Sequence, residues 1–520
     1  MSSIGDQPIA TPIQLSARSQ PSASAARMSP IDLTVIAIYM VATLAVGLAM
    51  KGKAASADDY FLGARDLPAW AVMLSIVATE TSALTVISVP GIAARGDLRF
   101  LQLAFGYLLG RIVVAWWLLP GYFSGAQQTA YQRLEARFGA PTRRTLSATF
   151  LVTRFLADGV RIFAGAIPLA LLTGWDVGWS IVVMGGVTLA YTLVGGLRSV
   201  VWADALQLGV YVAGGVAALV IATRMALHGG GDLGSLLAQA ADAGKLQLLD
   251  WSLSFSVPFT VLGGLVGGAM LSAASHGTDQ IIVQRLLATR SLRDAQWALV
   301  GSGVLVIAQF ALFLLLGTAL WAAGQAGPGL SGDEIFPRFI VQHLPVGLAG
   351  LLMAGILAAA MSTISSSISA LASSVTSDLY ASWTGHRDGP HLLRVGRWFS
   401  LLWGVLLTAA ALGFHVAASG RDTPVVVLAL SIASVTYGAL LGAYVLAGWR
   451  GRVAGVDVIR GAAVAVGVML VVVFAARLST WPALALLAPV GRLAFPWYVP
   501  MGTALTVAVA LGSAALRRRL

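Results

Sequence analysis

The apolar stretch from Ala359 to Ser369 carries hydroxyls at Ser362, Thr363, Ser365, Ser366, Ser367 and Ser369. On a helix, positions 362, 365 and 366 share one face at i, i+3 and i+4, and Thr363 lies beside them. Oxygens clustered in this way can take the place of the water around a small cation inside an apolar matrix, where only hydroxyls, carbonyls, carboxylates or trapped water are on offer. The plainer account is that the serines bond back to the preceding turn or let helices pack closely. Other polar groups also stand in apolar surroundings: Glu80 in ATETSALT, Arg111, Arg154 with Asp158 and Arg161, Asp204 in VVWADALQ, and His276 in LSAASHGT.

A carboxylate such as Glu80, buried without a partner, costs several kcal/mol, so it must be protonated, paired or close to a cation. Arg111 is one candidate partner. Arg154, Asp158 and Arg161 follow at i, i+4 and i+7 on a single helix face. Glu80 and Asp158 set against these three arginines leave one positive charge over, which an anionic solute could neutralise. A charge network that bolts helices together is the alternative. For Glu80, sodium attraction, solute contact and a structural ion pair all remain open. Asp204 could pair with Arg198. His276, a lone histidine in an apolar helix, reads by itself as a hydrogen-bonded structural residue.

Several chemistries are excluded. The chain has no cysteine, which removes disulfides and thiolate chemistry. It contains no nucleotide-binding loop, paired metal-binding acids or HExxH cluster, so an enzyme is not expected. Its net charge of +11 comes without a basic run interleaved with aromatics, so nucleic acid is not an expected partner.

The elements that must position these groups are membrane helices. Hydrophobic residues make up 58% of the 520 and charged residues 11%, a balance unlike that of soluble domains. Residues 1–29 read as a disordered tail, rich in Ser, Ala, Pro and Gln and without a signal-peptide core. Stretches of about 20 apolar residues then give about thirteen spans. Numbered 0 to 12, they lie near 31–50, 68–94, 98–123, 144–173, 177–194, 199–222, 257–282, 297–323, 347–380, 395–414, 424–446, 457–478 and 498–516. Lysine and arginine are twice as frequent in the alternate loops holding Lys51, Arg143, Arg198, Arg285, Arg394 and Arg517 as in the other set. This bias puts the N-terminus outside and the C-terminus in the cytoplasm. Residues 127–138 and 333–343 read as amphipathic helices between spans, the second with a gating role in view.

Four segments together resemble the sodium/solute symporter family, which includes the sodium/glucose, sodium/proline and sodium/iodide carriers. They are DDYFLGARDLPAWAVMLSIVATETSA from Asp58, GGLRSVVWADALQ from Gly195, DQIIVQRLLATRS from Asp279 and AAMSTISSSISALASSVTSDLY from Ala359. The resemblance implies an all-α polytopic membrane protein of leucine-transporter-like fold. Its first inverted repeat would occupy residues 68–222 (spans 1 to 5) and its second 257–446 (spans 6 to 10). An extra helix over 30–50 and two more over 457–516 would flank them. Independently, the small and polar interruptions in spans 1 and 6, ATETSALT and LSAASHGT, fall at corresponding places in the two halves, where broken helices expose backbone for ion and solute.

Carried over by residue, the family's common sodium site would use carbonyls of Ala78, Thr81 and Ala359 with the hydroxyls of Ser362 and Thr363. Serine is usual in relatives at the last position, and threonine keeps the oxygen. Some members add a second sodium, which here would use Asp204, Ser362, Ser365 and Ser366. The expected cofactor is therefore Na+, one ion or two. Solute or gate candidates are Glu80, Thr85, Arg111, Arg161, Ser272, Ser275 and His276. The sugar-carrier pattern has Gln where Thr85 stands, Asn for Ser272, Tyr for Ser275 and Lys for Val306, so a glucose-type cargo is disfavoured. A small organic anion ranks first, then an amino acid, then a sugar, moved by alternating access. The rivals are a proton-coupled carrier of the same fold and a non-transporting membrane sensor; no kinase-sized region follows Leu520, which argues against the sensor. Lysine occurs only at Lys51, Lys53 and Lys245 beside abundant Ala, Gly, Leu and Arg, a pattern of GC-rich bacterial genomes, so a bacterial cytoplasmic (inner) membrane is expected. Partners are the solute, sodium and the lipid bilayer. The sequence carries no signal for oligomeric state.

Overall fold

The computed structural model describes residues 29–519 except 53, 126, 229, 331, 387, 419–424 and 450. The tail read as disordered lies outside the described residues up to position 28. Among the described residues there are helices and one isolated bridge between Leu67 and Thr289, and no strand.

Each expected span falls on helix, but apolar length alone does not establish thirteen crossings. Among the described residues eight helices are long and apolar enough, or nine if the bent pair of span 1 counts as one. Four features lower the count, the first being that span 10 contributes only the shorter apolar helix Val435–Gly448 among the described residues. Spans 4 and 5 share one element, Val177–Leu227, which turns at Gly196. Span 3, Ala140–Thr173, carries the Arg154, Asp158 and Arg161 charges. Span 6 is divided into a wide turn at Gly263–Gly267, a helix Gly268–Gly277 and, after Asp279, a short helix Gln280–Leu287. Of the two amphipathic expectations, Gly332–His343 is helical throughout, whereas the first is helical only over Gln132–Phe138.

Span 8, Leu348–Ser374, is the hub of the bundle. It packs against spans 0, 1, 3, 5 and 9, and 89% of its most apolar window is buried inside the protein, against 28% for span 0. A helix surrounded on all sides can afford hydroxyls only where neighbours supply partners. Its N-terminus is held from outside the repeats: the amides of Gly347 and Gly350 donate to Asp32 Oδ1 at 2.7 and 2.8 Å. Asp32, in the first turn of Pro30–Ala49, thus satisfies donors that a helix start leaves free.

The turn at Gly196 is a backbone requirement. Its φ of +57° and ψ of −149° belong to a region open essentially to glycine, and an added Cβ would lie 2.2 Å from the Tyr60 carbonyl oxygen. Gly196→Ala should therefore cost about 2 kcal/mol or more and lower the melting temperature in detergent by several degrees. Gly186→Ala, where nothing lies within 4 Å of the new methyl, serves as the control. Equal melting temperatures for the two variants would contradict the strain argument.

Candidate functional site

Span 1 is interrupted where its polar residues cluster. The helix Ala69–Glu80 ends, Thr81 turns to extended backbone (φ −81°, ψ 105°), and Ser82 caps the next helix by accepting from the Thr85 amide at 3.3 Å. The axes of the two helices differ by 66°. The break frees the last carbonyls of the first helix from helical partners. Thr81 is fixed from span 7: its hydroxyl accepts from Gln309 Nε2 at 2.8 Å, and Gln309 Oε1 in turn accepts from Tyr211 at 3.0 Å.

Span 8 packs on both halves of this broken helix and brings Ala359, Ser362 and Thr363 onto a helix packed against those holding Ala78 and Thr81; all five residues are buried. Ser362 Oγ donates to Asp204 Oδ1 at 2.7 Å, and Thr363 Oγ1 donates to the Ala359 carbonyl at 3.2 Å. Each hydroxyl spends its single proton there and keeps its lone pairs, the electrons that a cation would engage.

The second cluster holds a resident cation. Arg285, counted from sequence among the cytoplasmic loop charges, is fully buried in Gln280–Leu287. Its guanidinium donates to Asp204 Oδ2 at 3.0 Å, to Ser366 Oγ at 2.5 Å and to Ser75 Oγ at 2.8 Å. Ser75 also donates to Asp204 Oδ2 at 2.5 Å, and Thr79 lies 3.1 Å from Ser366. Asp204 is thus paired with Arg285 and not with Arg198. Ser365 donates to the Ser362 carbonyl at 3.1 Å. Of the Asp204 oxygens, Oδ2 is committed to arginine and serine, while Oδ1 meets only Ser362 among the described residues.

A cavity of about 490 Å³ opens beside these helices, lined in part by Glu80, Thr85, Arg161, Ser272, Ser275 and His276, with Thr363 and Ser366 on its wall. Arg111, the remaining solute candidate, is not on the wall. It is fully buried, donates to Glu80 and reaches Ser302 Oγ at 2.8 Å. His276 Nε2 lies 3.6 Å from Glu80 Oε2, and its Nδ1 lies 2.9 Å from Ser275 Oγ. Glu80 is therefore ion-paired from behind and exposed to the cavity in front.

The expected surplus of positive charge is overturned by a third acid. Arg154 donates to Asp279 Oδ2 through Nε and Nη2, at 2.9 and 2.6 Å, and to Tyr437 at 2.9 Å. Asp158 lies 3.3 Å from Arg154 and 3.4 Å from Arg161, and accepts from Ser367 at 2.6 Å. Glu80, Asp158 and Asp279 thus balance Arg111, Arg154 and Arg161. Arg161 has the weakest hold on its acid and is the most exposed of the three, 23% by side chain against 0% for Arg111 and 8% for Arg154. Arg285 was missed because the apolar run of span 6 ends near residue 282, and Asp279, inside that span, because only the fold brings it to Arg154. The spacing of Gln280, Gln284 and Arg285 within DQIIVQRLL was the available signal, since i, i+4 and i+5 put three polar groups on one side of a short helix.

Comparison with known proteins bears on this geometry. The model of the sodium:solute symporter family matches residues 60–454. A sodium/sialic acid symporter of Proteus mirabilis is 29% identical over 392 residues, covering 74% of this chain and 78% of the relative. The sodium/iodide cotransporter of Homo sapiens is 30% identical over 434 residues, covering 80% of this chain and 65% of the relative. The structure of a Na+-coupled sialic acid symporter, in a substrate-bound outward-open state, superposes with a TM-score of 0.80 at 24% identity, over 94% of this chain and 98% of that one. The fold is accordingly leucine-transporter-like and all-helical.

Removal of one partner of the Asp204–Arg285 pair leaves a buried charge uncompensated, at a cost of about 3–5 kcal/mol. Asp204→Asn and Arg285→Gln should each lower the unfolding temperature in detergent markedly. The double variant should lose clearly less than the two losses added together. Additive losses would contradict the pairing.

Proposed function

Since the chain belongs to the sodium:solute symporter family, and is a sodium-coupled solute symporter in a multi-pass membrane fold, we propose that Ser362 and Thr363, with carbonyls of Ala78, Thr81 and Ala359, seat the coupling sodium, and that the cargo is a small organic anion. One observation carries the sodium half. A helix broken at Thr81 faces a wholly buried helix whose hydroxyls have given their protons away and kept their lone pairs. The cation replaces helical partners for the freed carbonyls, and so binds best when the two halves of span 1 and span 8 are correctly apposed. Alternating access follows from that difference in affinity between states.

Arg161 supports the anionic cargo. It reaches the cavity, holds Asp158 only at 3.4 Å and shares it with Arg154, so a carboxylate in the cavity would find a cation able to turn toward it. Overall charge balance in the network adds no further argument, but a co-bound sodium neutralises an arriving anion. The cargo in the names of the two relatives, sialic acid and iodide, is also anionic or acidic. Glu80 and His276 then orient the solute from the span 1 and span 6 side.

A second sodium would have to bind through Asp204 Oδ1, with Ser362 and Ser365, because Arg285 and Ser75 hold Oδ2. Repeats at 68–222 and 257–446, with added helices over 30–50 and 457–516, complete the reading. So do an outward N-terminus, a cytoplasmic C-terminus and a bacterial inner membrane. Loop charge supports the orientation.

In proteoliposomes with an inward sodium gradient, Ser362→Ala and Thr363→Ala should raise the sodium concentration for half-maximal uptake at least ~10-fold, in line with the loss of one buried ligand. Arg161→Gln should raise KM for an acidic solute with little change in the sodium requirement. Uptake of a broad solute panel that ignores the sodium gradient would end the sodium reading. For the second ion, the sodium Hill coefficient should exceed one in the native protein and fall toward one in Ser365→Ala. A native value of one would remove the second seat.

A further inference from the structure

The residues so far assigned to the cavity come from spans 1, 3, 6 and 8, yet its wall also includes Phe495 and Tyr498, which lie beyond residues 60–454 matched by the family model. They belong to a strap, LAFPWY, that joins the turns after span 11 to the first turn of span 12, Tyr498–Arg519.

The strap is fastened. The Ala494 amide donates to the Phe255 carbonyl at 2.8 Å, and the Trp497 ring lies 4.8 Å from that of Phe255. Pro496 sits directly on Gly267, where an added Cβ would come 2.6 Å from the Pro496 carbonyl oxygen. The strap therefore rests on the wide turn Gly263–Gly267, which begins the helix that presents Ser272, Ser275 and His276 to the cavity. Glycine at 267 is what permits this approach.

From the strap, a chain of edge-to-face rings runs along one side of the cavity: Phe495 on Phe259 at 6.3 Å, Phe259 on Phe100 at 5.3 Å, and Phe100 on Phe310 at 5.2 Å. Phe100 and Tyr498 stand at the starts of their helices, whereas Arg154, Asp158 and Arg161 lie in the middle of theirs. The cavity thus has its charged groups at mid-helix level, while Phe100, Phe495 and Tyr498 stand together at a helix-end level. Phe495 keeps 38% of its surface free although it lines a cavity, so an apolar ligand placed there would cover surface that the fold leaves open.

We propose that Phe495 and Tyr498 form the apolar wall of the solute site and select organic anions that carry a ring or bulky hydrocarbon body over compact ones. The acid group lies toward Arg161, and the body lies against the strap. This rests on the organic-anion reading above and adds to it the shape and polarity of the cargo. The added helices at the C-terminal end then take part in specificity as well as in packing. A cavity of about 490 Å³ is ample for a substituted aromatic acid.

The test compares lactate with 3-phenyllactate, which share a 2-hydroxy acid head and differ by one phenyl ring, in sodium-dependent uptake and in sodium-dependent thermal stabilisation. The native protein should favour 3-phenyllactate. Phe495→Ala should shift the ratio of the two KM values about tenfold against it, the scale of one lost aromatic contact, and Tyr498→Ala should shift it in the same direction. Phe495→Leu keeps an apolar side chain on the strap and covers the case in which the alanine variant does not fold. It should show a smaller shift of the same sign, with stabilisation by sodium alone as evidence of folding. Recognition of both acids with a ratio unchanged in the folded variants would overturn the proposal and leave the anion reading standing. A native protein that binds neither acid in sodium would overturn both.

Discussion

Backbone polar groups set loose inside a membrane-embedded bundle must find partners there, and this requirement organises the protein. Span 1 breaks at Thr81, so carbonyls at the end of one helix face the interior without the next turn to receive. Almost everything nearby answers that need. Ser82 caps the helix that follows, Gln309 and Tyr211 hold Thr81 from the side, and span 8 presents a row of hydroxyls opposite. A cation is the partner we propose for the carbonyls that remain.

The buried charges follow a related rule. Three arginines and three acids around the cavity neutralise one another, and Asp204 and Arg285 form a fourth pair behind it. Such pairs add little net stability compared with apolar packing, but they penalise any arrangement that separates them. They therefore define the placement of span 1 against span 2, of span 3 against span 6 and of span 5 against span 6. Asp158 is shared almost equally between Arg154 and Arg161, so neither arginine has it to itself.

Much of this was legible in the amino-acid order. Hydroxyls at 362, 363, 365 and 366 and the polar interruptions of spans 1 and 6 are local patterns, and a helix of period 3.6 converts them directly into faces. Glu80 needed a partner on energetic grounds, and Arg111 was among the candidates for it. Charge bookkeeping failed for a different reason. Arg285 falls just past the end of an apolar run, where a hydropathy count sees a loop, nothing local pairs Asp279 inside that run with Arg154, and burial of both is imposed by neighbours distant in sequence. The Gln127–Phe138 stretch shows the converse: its amphipathic pattern is real, but its first residues are spent on contacts instead of helical turns, with Gln128 and Ala130 bonded to Gln280 and Arg65 donating to the Gln127 carbonyl.

For this protein the sequence by itself determined the helical membrane class, the family, the hydroxyl-bearing stretch and the positions of the helix breaks, because each is a matter of local composition and spacing. Tertiary structure alone decided which acid meets which arginine, that Arg285 stands at Asp204, and that Phe495 and Tyr498 reach the cavity. Those outcomes depend on helices far apart in the chain coming within a few ångströms, and no periodicity records a distance between helices. The Ala359–Ser369 hydroxyls mark the division most clearly. Their types and spacing announced oxygen chemistry, and Thr363, Ser365 and Ser366 bond back to the preceding turn as local geometry allows, but only packing brought Asp204 to Ser362, Arg285 to Ser366 and Asp158 to Ser367.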